Sequence, residues 1–486
     1  MSLFLEQFKA NLNLGRPHTY RNLTLVPILM NSQEEDSYLT LPEALQTGDF
    51  VVTEVDEDGS VPEVKVVNRL NNAVLLLDGE ELVGAKQNRV VNTTILIAEQ
   101  NELVIPVSCT EQGRWHETTD QFADSGVVMP PSVRGRKTAS VGQSLRQDQR
   151  YNSDQGDVWA AIEELGTAAD VQGATGAMRD VYTGHQKSLD DYIHAYTPCE
   201  EQVGLVATVN GAVVGLDCVS SPNAYRSLAD KIVRSYAMEA LLDLEIGLNT
   251  SEIQEIQAFL EEIGLCEEAT YPGVGLGEEY RYQSRGIVGM ALMRDEKVVH
   301  ASFQRQTPPP PFTRSYWVRP GRLLAGYYPG APSKEEAEDK LRSLIGAGIR
   351  CVINLVEEDE RNWEKKPLRS YQRLLTKLGT EHDFDLTYLR IPIRDGGVPS
   401  VKTMQTILNM IDKALELGQP TYVHCWGGKG RTGTVVGCFL ARHGFALGED
   451  ALRKIRYLRR NDSKADDNSP KAETQCAMVR SWRQGQ

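Results

Sequence analysis

The sequence predicts a two-domain chain: an α+β domain over residues 1–305 and an α/β domain over 314–486, with a central sheet flanked by helices. Three observations carry this. Four consecutive prolines, Pro308 to Pro311, mark a linker over 306–313, because such a run continues neither a helix nor a central strand and favours a stiff polyproline II spacer. The element pattern changes across it, from mainly strand-like runs to helices and strands in alternation. The charge changes sign as well. Residues 1–305 hold 23 of the 52 basic and 46 of the 67 acidic residues, net −23, and the remainder is net +8 within a total of −15.

At 486 residues the chain is too long for one core. With 41% apolar and 24% charged residues it reads as globular, which excludes collagen-like, disordered and disulfide-scaffold classes. No apolar run is long enough to span a bilayer, and the first residues lack the pattern of a secretory signal. Eight cysteines lie scattered with no C-x-x-C pair, so neither a zinc ribbon nor a redox dithiol is expected. A cytoplasmic setting with reduced thiols follows, leaving one of them free to act as a nucleophile. The basic C-terminal part favours anionic ligands.

In the first domain, Phe50–Val55, Glu63–Asn68, Ala73–Leu77, Val90–Ala98 and Glu102–Val107 read as strands, being rich in Val, Ile and Leu between Gly, Asp and Asn. Met129 to Asp157, polar and opened by Pro130-Pro131, predicts a long exposed loop. Val203–Val209 and Ala212–Cys218 flank Asn210-Gly211, a strong hairpin signal. Ala224–Leu248 has helical spacing, and Ser251 to Gln254 resembles a capping box that opens a helix through Ile263. A hairpin is expected from Tyr280 to Phe303. In the second domain, Tyr316–Val318, Leu323–Gly326, Cys351–Leu355, Leu386–Ile391 and Thr421–His424 predict strands. Lys334–Ala347, Leu368–Leu378 and Val401–Leu417 predict helices.

The chemistry concentrates in Thr421-Tyr-Val-His-Cys-Trp-Gly-Gly-Lys-Gly-Arg-Thr-Gly433. A strand ends at His424, a glycine-rich loop runs from Cys425 to Arg431, and an apolar helix begins near Thr432. Gly427, Gly428 and Gly430 let the backbone fold tightly with several N–H groups pointing inward. Such a nest at a helix N-terminus takes a phosphate dianion without a metal. Cys425 stands at its mouth. A free thiol titrates near about 8.5, and a helix N-terminus with nearby cations can bring it to about 3.5–7.5. Arg431 can grip two phosphoryl oxygens with its planar fork while Cys425 attacks in line. His424 is expected to orient the loop rather than titrate, and Thr432 to donate a hydrogen bond to the sulfur.

Through these residues, 314–486 resembles the cysteine-dependent protein tyrosine and dual-specificity phosphatases, whose phosphate loop reads H-C-x5-R-[ST]. The resemblance implies an α/β phosphatase domain in which Cys425 is the nucleophile, Arg431 binds phosphate and a phosphocysteine forms. It also implies a general-acid aspartate on an upstream loop. Asp395, in Ile-Arg-Asp-Gly-Gly-Val-Pro, matches, while Asp383 and Asp385 compete from before the strand. Arg319 to Gly330 looks like the opening segment of bacterial dual-specificity phosphatases. Ser469 to Gln475 resembles a late segment whose Gln positions the hydrolytic water, and two readings of Gln475 stay open, that role or a place on a helix surface. Lys429 adds positive charge inside the loop, as in phosphoinositide-directed relatives. Trp426 stands where those relatives usually have a second Lys, which argues against a lipid and for an apolar contact at the rim.

Residues of about 10–305 are similar to a domain of unassigned chemistry that occurs beside phosphatase, rhodanese and ADP-ribosylglycohydrolase proteins. The resemblance rests on Leu77 to Asn92 and Pro106 to Trp115. Glu80, Glu81, Lys86, Gln87, Asn88, Arg89 and Asn92 form one polar cluster, and Cys109, Arg114, Trp115 and His116 a second. Two readings stay open, a solvated internal network or a site for a nucleotide-like or ADP-ribose-related ligand. The expected activity is a phosphomonoester phosphatase needing neither metal nor cofactor. Its expected partner is a phosphorylated protein, with a small phosphorylated metabolite or a phospho-binding scaffold role as alternatives. No nucleic-acid polymer or membrane partner is expected.

Overall fold

The computed structural model describes residues 12–29, 38–56, 59–171, 173–242, 252–306, 308–362, 365–381 and 385–486. The chain forms two compact units that divide after Gln306. Both mix helices and strands. No helix among the described residues is long and apolar enough to cross a membrane.

In the first unit, the described residues form sheets of nine, six and three strands. The largest is centred on the antiparallel strands Leu23–Leu29, Gln202–Val209, Ala212–Val219, Lys297–Arg305 and Ile287–Arg294. Asn210 and Gly211 take φ of 51° and 75°, the left-handed pair whose twist suits a two-residue hairpin. The helix Pro222–Leu242 buries Leu228, Ile232 and Tyr236 in a core shared with Leu25, Leu205 and Ala207. Residues 243–248 of the expected helix and Ser251 of the expected capping box lie outside the described residues.

Three expectations for this unit need correction. Met129 to Asp157 is not an exposed loop. Pro131–Asp148 is a helix, and Gln155 begins another. The helix buries polar residues on its inner face: Arg134 holds Asp217 with two bonds of 3.0 and 2.6 Å, and Lys137 bonds Asp78 and the carbonyls of Val91 and Asn92. Composition misleads here because a helix can bury charge when partners from distant strands meet it. Val90–Ala98 is two strands, Arg89–Val91 and Ile95–Ile97, that pair in different sheets. The hairpin expected from Tyr280 to Phe303 is a meander of Glu278–Gln283, Ile287–Arg294 and Lys297–Arg305.

The second unit is a five-stranded sheet in the order Ser315–Arg319, Leu323–Gly326, Thr421–His424, Cys351–Asn354, Thr387–Arg390. The first pair is antiparallel and the rest are parallel. Parallel neighbours need crossover helices, and Lys334–Gly346 and Val401–Glu416 supply them with Leu341, Leu344, Ile407 and Ile411 turned inward. The helix expected at Leu368 begins at Gln372, just after the buried Tyr371. Two helices the sequence reading did not place, Glu449–Leu458 and Glu473–Ser481, complete the unit. Thr421–His424 is the middle strand, so the loop that leaves it opens at the C-terminal edge of the sheet, where parallel α/β layers place their sites.

Candidate active site at the end of the central strand

The strand Thr421–His424 is wholly buried, and the helix Gly430–Arg442 starts only six residues after it. The chain between must turn tightly, and Gly428 makes this possible. Its φ is +70°, and a Cβ there would lie 2.7–2.9 Å from backbone atoms of Gly326 and Tyr327, so the loop seats directly on the end of the neighbouring strand. Among the described residues, none accepts from the amides of Trp426, Gly427, Gly428 or Lys429. These amides and the helix N-terminus lie where the spacing leads one to expect an anion nest.

Cys425 is 2% exposed at the start of the loop. Its amide donates to Thr432 Oγ1 at 2.9 Å, and that hydroxyl faces the Gly326 carbonyl at 3.4 Å. The structure thus gives Thr432 a loop-closing bond to the backbone of Cys425, where the sequence suggested a bond to the sulfur. His424 is fully buried, with Nε2 2.5 Å from the Tyr371 hydroxyl and Nδ1 3.1 Å from the Cys425 carbonyl oxygen. Burial, with the positive charges of Arg431 and Arg390 adding, pushes its pKa down to about 3. Burial thus favours the neutral ring, which touches the loop at the Cys425 carbonyl.

Arg431 is 2% exposed. Nη1 donates to Glu360 Oε2 at 2.6 Å and to the Ile393 carbonyl at 3.1 Å. Nη2 donates to Glu360 Oε1 at 2.7 Å and lies 3.0 Å from Asp395 Oδ1. Burial alone would lower the pKa of the guanidinium, but the Glu360 carboxylate and the other acids around it raise it. A guanidinium has five N–H donors in a fixed fork. With both Nη1 hydrogens and one Nη2 hydrogen taken, the Nε–H and the Nη2–H that Asp395 faces are what remain. Asp395 itself is 75% exposed, on the loop after Thr387–Arg390, and its amide donates to Glu357 at 3.3 Å. Asp383 lies outside the described residues, and Asp385 is exposed ahead of the strand.

The remaining expected residues form the frame and rim. Trp426 is half-buried, its carbonyl accepts from the Tyr328 amide at 3.1 Å, and its ring lies 5.8 Å from that of Tyr328. The Lys429 ammonium turns to Asp467 at 2.6 Å instead of into the loop, because its long stem reaches the carboxylate at the rim. Gln475 is buried, so it does not lie on a helix surface. Its Oε1 caps the helix Glu473–Ser481 through the Ala472 amide at 3.1 Å, and its Nε2 donates to Gly397 on the Asp395 loop at 2.9 Å. It also lies 3.0 Å from where a Cβ on Gly430 would be. Gln475 therefore bonds the Asp395 loop to the start of the helix Glu473–Ser481 and packs beside Gly430.

Sequence reasoning missed Glu360 and Arg314. The run Glu357 to Glu360 reads as solvated charge. Its position just after the strand next to Thr421–His424 is the signal that could have assigned one of these acids to Arg431. Arg314 donates from Nη2 to the Gly427 carbonyl at 2.7 Å, and nothing in its local sequence marks it.

In the first unit the two polar clusters are one network. Gln87 donates to the Glu111 carbonyl at 3.0 Å, Arg114 reaches Asn88 at 3.0 Å, and the Arg89 guanidinium lies 5.6 Å from the exposed Trp115 ring. Glu80 is paired with Lys231 at 2.6 Å. Glu81 accepts from Thr110 at 2.8 Å, and burial pushes its pKa up to about 7.

Residues 11–304 match the family model of the ARG and Rhodanese-Phosphatase-superfamily-associated Protein domain. Residues 329–445 match a model described as a polymorphic toxin system DSP-PTPase phosphatase. The chain is 30% identical over 131 residues to a protein named as a tyrosine phosphatase, 067L of Invertebrate iridescent virus 3, a match that covers 26% of this chain and 45% of that protein. It is 38% identical over 77 residues to the phosphatidylglycerophosphate phosphatase PTPMT2 of Arabidopsis thaliana, covering 16% of this chain and 34% of that one. The match thus spans less than half the length of either relative. The crystal structure of Tk-PTP in its active form aligns at 22% identity and a TM-score of 0.25, covering 34% of this chain and 93% of that chain.

Proposed function

The chain belongs to the ARG and Rhodanese-Phosphatase-superfamily-associated family, and from that premise we propose that its C-terminal unit is a phosphatase working through a phosphocysteine. The observation that supports this most directly is the meeting of three groups from two segments far apart in the sequence. Cys425 and Arg431 bracket an amide-lined loop, and Asp395 arrives 3.0 Å from Nη2 of the arginine.

In the proposed reaction, Cys425 Sγ attacks phosphorus as the thiolate. The S–P bond forms, the P–O bond to the leaving group breaks, and Asp395 gives that oxygen its proton. Arg431 and the loop amides hold the equatorial oxygens and spread their charge. Water then attacks phosphorus, Asp395 takes its proton, and the thiolate leaves with the S–P electron pair. Thr432 and neutral His424 keep the loop in shape throughout. The half-buried Trp426 beside Tyr328 offers an aromatic wall, which supports phosphotyrosine in protein as the substrate, with phosphoserine and phosphothreonine within reach.

The test is turnover of a phosphotyrosine peptide, phosphatidylglycerophosphate and a nucleoside monophosphate by the full chain. The peptide is expected to be fastest, and fastest turnover of either other substrate transfers the assignment to it. Rapid quenching followed by intact-mass measurement should find one phosphoryl group on Cys425. Cys425→Ser should abolish turnover, and Asp395→Asn should lower it by about 10²–10⁴ with loss of the basic limb of the pH profile. Undiminished turnover by Cys425→Ser would remove the sulfur from the reaction.

A further inference from the structure

We propose that Arg314 is a positioning residue that sets the orientation of the phosphate loop, an inference that rests on the phosphatase reading above. Arg314 lies three residues after the last proline of the linker and touches none of the reacting atoms. Its Nη2 donates to the Gly427 carbonyl at 2.7 Å. The only cis peptide bond among the described residues joins Ser469 and Pro470, so the bond from Gly427 to Gly428 is trans. In a planar trans peptide the C=O and the N–H point opposite ways. A guanidinium that draws the Gly427 oxygen outward therefore turns the Gly428 N–H inward, where an anion is to sit.

That peptide is the one in the loop most in need of a hold. It is flanked on both sides by glycine, which resists rotation least. Flipped, it would present a carbonyl oxygen to the phosphate in place of an amide. A charge-assisted bond to the oxygen opposes the flip.

The mount of Arg314 is itself braced. The guanidinium carbon lies 4.5 Å from the centre of the Tyr327 ring, which also carries Lys340 at 4.7 Å and meets Phe312 edge-on at 5.7 Å. The Tyr327 carbonyl accepts from the Tyr422 hydroxyl at 2.5 Å, tying the mount to the central strand. Arg314 has φ of +67°, a conformation a side-chain-bearing residue adopts only when its surroundings hold it there. Ala, Lys and Gln would meet the same backbone cost, so variants with these residues compare side chains alone.

The experiment measures inorganic phosphate binding by calorimetry to the full chain carrying Cys425→Ser, which reads the loop without turnover. Adding Arg314→Ala is expected to weaken phosphate about tenfold or more, and Arg314→Lys, which keeps a cationic donor, to stay within about threefold of the parent. With Cys425 intact, the KM for para-nitrophenyl phosphate should rise in step while both limbs of the pH profile stay in place, since Arg314 carries no proton in the reaction. A merely structural role would lower the melting temperature without this selective loss of phosphate. Equal affinity for the parent and Arg314→Ala, or a loss that Arg314→Lys does not recover, overturns the proposal. If Arg314→Ala does not fold, Arg314→Gln takes its place, and equal affinities for Gln and Lys overturn it. Failure of the wild type to turn over any phosphoester would sink the phosphatase reading alone, because the binding measurement still decides Arg314. Absence of phosphate binding by the parent would sink both.

Discussion

Glu360 spends both carboxylate oxygens on Arg431, and the edge of the guanidinium it occupies is not the edge left for phosphate. Two consequences oppose each other. Removing the carboxylate takes a negative charge from near the anion, which favours phosphate in the ground state. It also frees a buried side chain whose direction matters most in the transition state. Glu360→Gln should therefore lower kcat by about tenfold or more while inhibition by inorganic phosphate changes by less than about threefold. Steady-state kinetics with phosphate as inhibitor would show the split. A parallel loss in both quantities would mean that Glu360 serves binding. The residue was hard to find in advance because its role depends on a partner 71 positions away. Cys425, Arg431 and their glycines were legible because loop spacing alone brings them together.

At the scale of elements, what was legible follows from how locally each is determined. Leu323–Gly326 and Thr421–His424 match their expected bounds, being short apolar runs between clear turn signals. The helix Pro131–Asp148 was hidden because its inner face carries Arg134, Lys137 and Thr138, whose burial makes sense only once Asp217 and Asp78 stand opposite. Glu81, on the strand Glu80–Gly84, gives this buried polar architecture a measurable signature. Its pKa rises on folding from 4.5 to about 7, so the folded state holds the extra proton between those values. The stability this lends is present in full below about pH 4.5 and is lost as pH rises through 7, on the order of 3 kcal/mol over the window. Glu81→Gln should flatten that dependence and leave the unit more stable than the wild type above pH 7. Urea melts at pH 4.5 and pH 8 would measure it, and an equal shift at both values would contradict the assignment.

Across the whole molecule, the change of charge sign at the proline run sets a long-range field as well as a boundary. The C-terminal part is net +8 although the chain is net −15. If the nearer, basic part governs the approach of an anion, kcat/KM for a phosphorylated peptide should fall several-fold as salt rises from about 0.05 to 0.5 M, through KM. A rise with salt would show that the acidic part dominates at the active site. Sequence alone gave the two-part organisation, since prolines, charge and element pattern change together. It could not give Arg314, or the bond from Gln475 to Gly397, since both contacts exist only after distant segments have folded together.

Gly427 and Gly428 stand side by side, but geometry constrains them differently. A methyl group on Gly428 would collide with the neighbouring strand's main chain, whereas the nearest atom to one on Gly427 is Lys429 Cε at 3.9 Å. Over evolutionary drift, then, the second position is frozen by shape, and the first is open to exchange wherever selection reshapes the mouth of the loop.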